Sequence, residues 1–321
     1  SLGVATTCTT PIQASRIGSM SSRSKWTSVL ALFCVGIFVY RVSLTAGYFS
    51  WDDLDLVVNN KQVHQLDFAD VHAYFSSTFL GNYEPLTMMA YGIEWLIGKG
   101  DPWSFHLVSI LLHVFCAIVV FRLANEISKE RWIALGTALF FVASPVQVES
   151  VSWVSEQKTV LSGLFYFLAM FQYLRYLKSG SNSNYLMVLV FFVLGMLSKA
   201  TAVMLPISLL GLVLLSGKTD ELARRWRGLA LLVLVAIVFG ALAIWAQSHD
   251  GYLRTDRLGA PLIERFVLAA YALVQYAVRM VLPIHLSALY PIPENLLWYH
   301  FAVAFAGALC VLLLIWRPAS E

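Results

Sequence analysis

Three aspartates crowd the stretch from Phe49 to Asn60 (FSWDDLDLVVNN): Asp52, Asp53 and Asp55. They follow an apolar run, about Trp26 to Leu44, that is too long for a soluble core. Carboxylates at a bilayer face are costly unless they are solvated or paired. A cluster in that position can act as a base toward a hydroxyl, hold a divalent cation, or help keep its loop outside. Asp55, Asp67 and Asp70 read as solvated surface. Trp51–Asp52–Asp53 differs, because an interfacial aromatic anchors the acidic pair at a defined depth.

Other polar residues stand out against the apolar background. Lys199 interrupts an apolar run with only a few residues for a turn, and reads equally as a functional ammonium or as a snorkelling lysine that caps a helix. Lys158 shares its loop with Glu149 and Glu156. His106 and His113 stand seven residues apart, about two helical turns, and so share one face. Two histidines without a third ligand at suitable spacing argue for buried or ligand-contacting side chains rather than for a metal site. Cys8, Cys34, Cys116 and Cys310 show no paired spacing and imply neither a disulfide nor a zinc framework.

The elements that must carry these residues are membrane helices. Of 321 residues, 59% are apolar and 13% charged, about half the charge of an ordinary soluble domain. Mean hydropathy is +0.70. The net charge of +3 is spread over loops, which excludes a nucleic-acid surface. The chain is expected to be an all-α polytopic membrane protein with eight or nine spans between residues 26 and 316. Residues 1–25 read as a disordered cytoplasmic tail. The segment from Thr45 to Phe105 carries eight acids against Lys61 and Lys99. Within it, Pro85 to Gly98 is apolar but short, which predicts an interfacial or re-entrant helix. Arg16, Arg23 and Lys25 precede the first span and further basic clusters follow the second, fourth and sixth, so the acid-rich loop and the loop from Ser144 to Lys158 are expected outside.

Phe49–Ser–Trp–Asp–Asp resembles the first outward loop of the transmembrane and tetratricopeptide-repeat O-mannosyltransferases and their bacterial homologues. The likeness continues through GNYEPLT (Gly81 to Thr87), HLVSILLH (His106 to His113) and SPVQVESVSWVSEQKTVLSG (Ser144 to Gly163). LGMLSKATAVMLP (Leu194 to Pro206) extends it and LPIHLSALYPIP (Leu282 to Pro293) does so more weakly. The order and spacing of these motifs over about 250 residues make the resemblance specific. It implies a GT-C helix bundle whose first loop, facing outward, carries interfacial helices. It further implies transfer of a sugar, mannose or another hexose, from a polyprenyl-phosphate-linked donor to a protein or glycan hydroxyl. The site would face outside in a bacterial cytoplasmic membrane, or the lumen in an endoplasmic reticulum membrane.

Carried over by position, Asp52 is the general base of an inverting displacement and Asp53 its partner. Adjacent like charges suit one of the two to accepting a proton. The departing lipid phosphate requires positive charge, for which Lys158 and Lys199 are the candidates, ahead of Arg254, Arg257 and Arg279. Glu84, histidine or arginine in many relatives, is assigned to acceptor or metal contact, or else to capping the helix that Pro85 begins. Tyr83 and Trp51 are assigned to stacking on a sugar ring, with membrane-belt residues as the alternative. His106, His113 and Glu149 complete the substrate-binding set.

The pattern also departs from the family. Relatives carry His-Pro-x-His-x-Glu where this chain has Ser144 and Gln147 at the histidine positions, which weakens a metal assignment. No cofactor is assigned, although a divalent cation remains open. The further spans and repeats of relatives are missing after Arg317–Glu321, so a truncated or shortened homologue is expected. Two other classes stay open, a secondary transporter and a non-catalytic scaffold. Transporters place ionisable groups near the midplane, whereas the acids here collect in a loop.

Overall fold

The computed structural model describes residues 22–216, 219–252, 261–284, 286–287, 290 and 296–315. Most of the tail read at residues 1–25, the end at 317–321, and Arg254 and Arg257 lie outside these residues. The described chain is helical, with a single isolated β-bridge between Phe79 and Asn82.

α1 (Ser22–Tyr40) runs into a 3-10 turn and is followed by the acid-rich loop. That loop holds α2 (Lys61–His64), α3 (Phe68–Ser76) and α4 (Pro85–Gly98). The bundle continues with α5 (Trp103–Ser128), α6 (Arg131–Ala143), the short α7 (Val148–Ser152), α8 (Gln157–Ser179) and α9 (Asn182–Ser198). α10 (Leu205–Leu215), α11 (Thr219–His249), α12 (Leu262–Val281) and α13 (Trp298–Ile315) complete it.

Among the described residues, four segments are long and apolar enough to cross a bilayer: Trp26–Thr45, Trp103–Ser128, Val154–Ser179 and Arg224–His249. A fifth arises if Arg131–Ala143 and Pro145–Ser152, bent by 46° at Ser144, count as one span. Asn182–Ser198, Ala200–Leu215 and Trp298–Leu309 are apolar but shorter. The protein is therefore an all-α polytopic membrane protein.

Local chemistry sets the boundaries. α5 is about 39 Å long at 1.5 Å per residue. It begins where Asp101 Oδ1 accepts from the Trp103 amide at 3.2 Å and ends at Lys129, left-handed at φ 61°. Pro85 occupies the first turn of α4, where its missing N–H is no loss. Asp67 and Asp70 bond each other's backbone amides at the start of α3. These two acids, read as plain surface, are a reciprocal helix cap.

The acid-rich loop has its own core. Leu56, Val57, Val63, Tyr74, Met88 and Tyr91 pack against Phe105 of α5 and Val154. A second core joins α1, α5 and α6 through Leu32, Phe121 and Ala138. Gly36 permits this contact, since a Cβ there would lie 2.5 Å from Val114 Cγ2. The third and largest core joins α8, α9, α10 and α11.

The two ends of the bundle differ in chemistry. At one end, Arg131 donates to Ser28 Oγ and Thr27 Oγ1 at 3.2 and 2.9 Å. Lys129 and Lys178 both pair with Glu126 there, and Arg225 pairs with Glu221 at 2.8 Å while lying over the Tyr176 ring. At the other end the acid-rich loop, the segment Ser144–Glu156, the turn after α9 and the end of α11 gather.

Candidate active site

Asp53 is completely buried and acts as a knot between the two loops of the acidic end. Its Oδ2 accepts from the Phe49 amide at 2.9 Å, which closes the turn around Trp51 and Asp52. Its Oδ1 accepts from the Ser155 amide at 2.8 Å and also from the Ser155 hydroxyl. Tyr91 reinforces the junction by donating to the carbonyls of Val154 and Ser155, at 3.3 and 3.0 Å. Trp51 meets Trp153 edge-on at 5.7 Å.

The neighbouring Asp52 is half-buried and has no hydrogen bond or ion pair among the described residues. The doublet is thus divided, one carboxylate saturated by donors and the other uncommitted.

Three residues beyond Ser155, Lys158 lies in the first turn of α8 and is almost wholly buried. Its acceptor among the described residues is Glu84 Oε2, at 3.7 Å. An ammonium carries three donors and prefers charged partners at about 2.8 Å. Lys158 is therefore only loosely paired among the described residues. Lys199, which caps the end of α9, is well held, by Glu156 Oε2 at 2.8 Å and Thr159 Oγ1 at 2.7 Å. Thr87 ties α4 to the same turn by donating to the Ser198 carbonyl at 2.8 Å.

Glu84, Lys158, Glu156 and Lys199 make a compact cluster of two acids and two bases. Burial pushes the Glu84 carboxyl above the ordinary carboxylate range; Lys158 and Lys199 pull it back, and Glu156 adds to the rise. Although Glu84 precedes α4, its side chain makes no capping bond. It turns to Lys158 instead.

A second buried carboxyl had no sequence signal beyond its place in an apolar helix. Glu94 of α4 accepts from Gln157 Nε2 at 2.5 Å through Oε1, while its buried Oε2 has no partner among the described residues. Ser109 completes this network by donating to Gln157 Oε1 at 3.1 Å. Burial raises the Glu94 carboxyl well above the usual range. The folded chain therefore keeps this proton longer than the unfolded chain does, and stability falls as pH rises from about 4.3 toward the raised folded value. Glu94→Gln is expected to remove that slope, gaining up to about 1.4 kcal/mol per pH unit within the window. Thermal unfolding of both proteins across pH measures it, and parallel curves would contradict it.

The remaining candidates fall in different places. His106 is fully buried at the start of α5, facing the backbone of Ala46 and Gly47, with no hydrogen bond of good geometry among the described residues. His113 sits deeper, with Nε2 3.2 Å from the Val142 carbonyl and its ring between Tyr40 and Phe141. The two share a helix but not an environment. Tyr83 donates to the Phe75 carbonyl at 3.0 Å, Trp51 is half exposed, and Glu149 is exposed on α7. No group of three His, Cys, Asp or Glu side chains is placed to share a metal ion among the described residues.

Asp250, just past α11, is a contact that the sequence did not announce. It accepts from Thr78 Oγ1 at 2.8 Å and from the Gly81 amide at 2.9 Å, latching α11 to the acid-rich loop. Gly81 adopts φ 74° there, and a Cβ would lie 2.8 Å from Tyr252 Cβ.

Residues 87–245 match the family described as dolichyl-phosphate-mannose-protein mannosyltransferase. Protein O-mannosyl-transferase Tmtc2 of Drosophila melanogaster is 30% identical over 237 residues, 68% of this chain and 24% of that protein. The chain belongs to the TMTC-like family of mannosyltransferase homologues. Among other TMTC proteins, human Protein O-mannosyl-transferase TMTC4 is 29% identical over 200 residues, 52% of this chain and 27% of that protein. Mouse TMTC3 is 28% identical over 155 residues, 45% of this chain and 16% of that protein. The chain thus spans about a quarter or less of these TMTC relatives. No solved structure matches it significantly. Of the candidate residues, Lys158 and Lys199 fall within the matched family region, and Asp52, Asp53 and Glu84 precede it.

Proposed function

We propose that this chain is a GT-C glycosyltransferase that moves mannose or another hexose from a polyprenyl-phosphate donor to a hydroxyl of a protein or glycan. The reaction takes place on the outer or lumenal face. Asp52 accepts the hydroxyl proton while the oxygen forms its bond to the anomeric carbon. The bond from that carbon to the phosphate oxygen breaks, and the polyprenyl phosphate departs with the electron pair. Lys158 stabilises the developing phosphate charge, where a fixed cation in a water-poor site is most effective. Asp53 positions Asp52 by holding the turn against Ser155.

The observation that carries this reading is the division of the aspartate doublet. Asp53 has its acceptors filled, whereas Asp52 is half-buried and free to take a proton. A buried ammonium at the same end of the bundle, loosely paired with Glu84, supports it. So does a groove of about 310 Å³ along the end of α1 and α7, lined by Val39, Tyr40, Val42, Ala46 and Val148 together with the hydroxyls of Ser43 and Ser152, a mostly apolar lining that suits a prenyl chain. The relatives named as protein O-mannosyl-transferases favour mannose and a protein acceptor. In this reading Lys199 balances Glu156 rather than binding phosphate directly.

Purified chain supplied with a polyprenyl-phosphate mannose and a Ser/Thr peptide is expected to give a glycopeptide of anomeric configuration opposite to that of the donor. A single base with no covalent sugar intermediate requires inversion. Nuclear magnetic resonance of the product reads the configuration. Retention would rule out the one-base mechanism, and absence of transfer from any polyprenyl-phosphate sugar would rule out the activity.

A further inference from the structure

We infer that Glu84 holds the place of the donor phosphate at Lys158 in the empty protein and surrenders it by taking up a proton when the donor binds. The inference rests on the reading of Lys158 as the phosphate partner and extends it to how that site is gated.

A phosphate that reaches Lys158 meets Glu84 there. The side chains of Lys158 and Glu84 are only 7% and 9% exposed, and the carboxylate covers the ammonium at 3.7 Å. A phosphate oxygen that pairs with the ammonium competes with that carboxylate for it. The loose spacing makes the displacement feasible, because the existing pair is far from the close contact of a strong ion pair. Lys199 does not offer the same opening, being closely bonded to both Glu156 and Thr159.

Charge balance then demands the proton. Two carboxylates and two ammonium groups sum to zero in the resting cluster. A phosphodiester adds one negative charge, and an unpaired charge in a buried site is strongly disfavoured. Glu84 is the group suited to absorb it. The charges that face it are Lys158 and Glu156 from the α8 side and Lys199 from the turn after α9, with the Tyr91 hydroxyl on α4 itself. Glu156 remains paired to Lys199, so its charge is retained. Burial already raises the Glu84 carboxyl in the empty site, and loss of its contact with Lys158 removes the nearest opposing influence. Proton uptake is thereby coupled to donor binding, and binding weakens as pH rises.

A short-chain polyprenyl methyl phosphodiester is the appropriate probe, since its single charge is constant through the neutral range. Isothermal titration of the full chain in detergent, in buffers of differing ionisation enthalpy, counts the protons taken up on binding. Wild type is expected to take up a proton on binding, with Kd rising as pH rises, by up to about tenfold per pH unit. Glu84→Gln is expected to bind at least about tenfold tighter at pH 8, with a flat pH profile and no proton uptake. Lys158→Met is expected to lose binding.

Zero proton uptake by wild type overturns the gating, and that result stands even where Glu84→Gln fails to fold. Unchanged pH dependence and proton uptake in Glu84→Gln also overturn it. The donor-site reading survives either result provided Lys158→Met still loses binding. Failure of wild type to bind the probe at any pH, or undiminished binding by Lys158→Met, instead overturns the donor site and the gating with it.

Discussion

Asp52→Asn is expected to lower sugar transfer by roughly a hundred- to ten-thousand-fold, the usual contribution of a general base, while leaving the thermal unfolding of the chain unchanged. The asparagine is isosteric and neutral, so it fills the same space but cannot accept the acceptor's proton. Asp52 is half-buried and makes no bond that the amide would break, which is why stability is spared. The loss should appear in kcat rather than in donor KM, because the proposed mechanism assigns the phosphate to Lys158 and not to Asp52. Initial rates with a saturating polyprenyl-phosphate donor separate these quantities. A variant with wild-type kcat would remove Asp52 from the mechanism.

One residue further on, Asp53→Asn is expected to do the opposite and damage the fold. Asp53 offers oxygens on both sides, to the Phe49 amide on one and to the Ser155 amide and hydroxyl on the other. An amide can present oxygen to only one set and must direct its own N–H groups at the other. Each buried donor left without an acceptor costs about 1–3 kcal/mol, so a loss of about 2–4 kcal/mol is expected. The apparent Tm should fall, and hydrogen exchange should quicken in the segments around Phe49 and Ser155 before it does in α5. Any loss of transfer would accompany the loss of structure. An Asp53→Asn protein as stable as wild type, with slow exchange at both segments, would show that this carboxylate is not the knot between the loops. Comparing the two neighbours is informative because they share a type and a loop but not an environment.

Membrane character, the helical class and the acidic end were legible in the residues themselves. Apolar runs of bilayer length admit no other backbone than a helix, since each peptide group must find its partner within the segment. α4 coincides with the stretch read as too short to span, from Pro85 to Gly98, because proline marks a helix start in any context. The motifs around Asp52, Glu84 and Lys158 were likewise visible as a resemblance, and the relatives bear out the family. Asp67 and Asp70 illustrate a local signal passed over, since an acid three residues from another at a helix start is itself a capping pattern.

What each polar residue does could be settled only by tertiary structure. Asp52 and Asp53 are indistinguishable in sequence, and burial against Ser155, 102 residues away, divides them. Lys158 and Lys199 looked equivalent until their partners were in place, one closely bonded by Glu156 and Thr159 and the other loosely faced by Glu84. Glu94, Gln157 and Asp250 carried no spacing to announce them, because their partners lie on other helices. Secondary structure follows from neighbours along the chain, whereas the state of a carboxylate or an ammonium depends on donors, acceptors and water excluded by packing. Those are brought together only when distant segments meet.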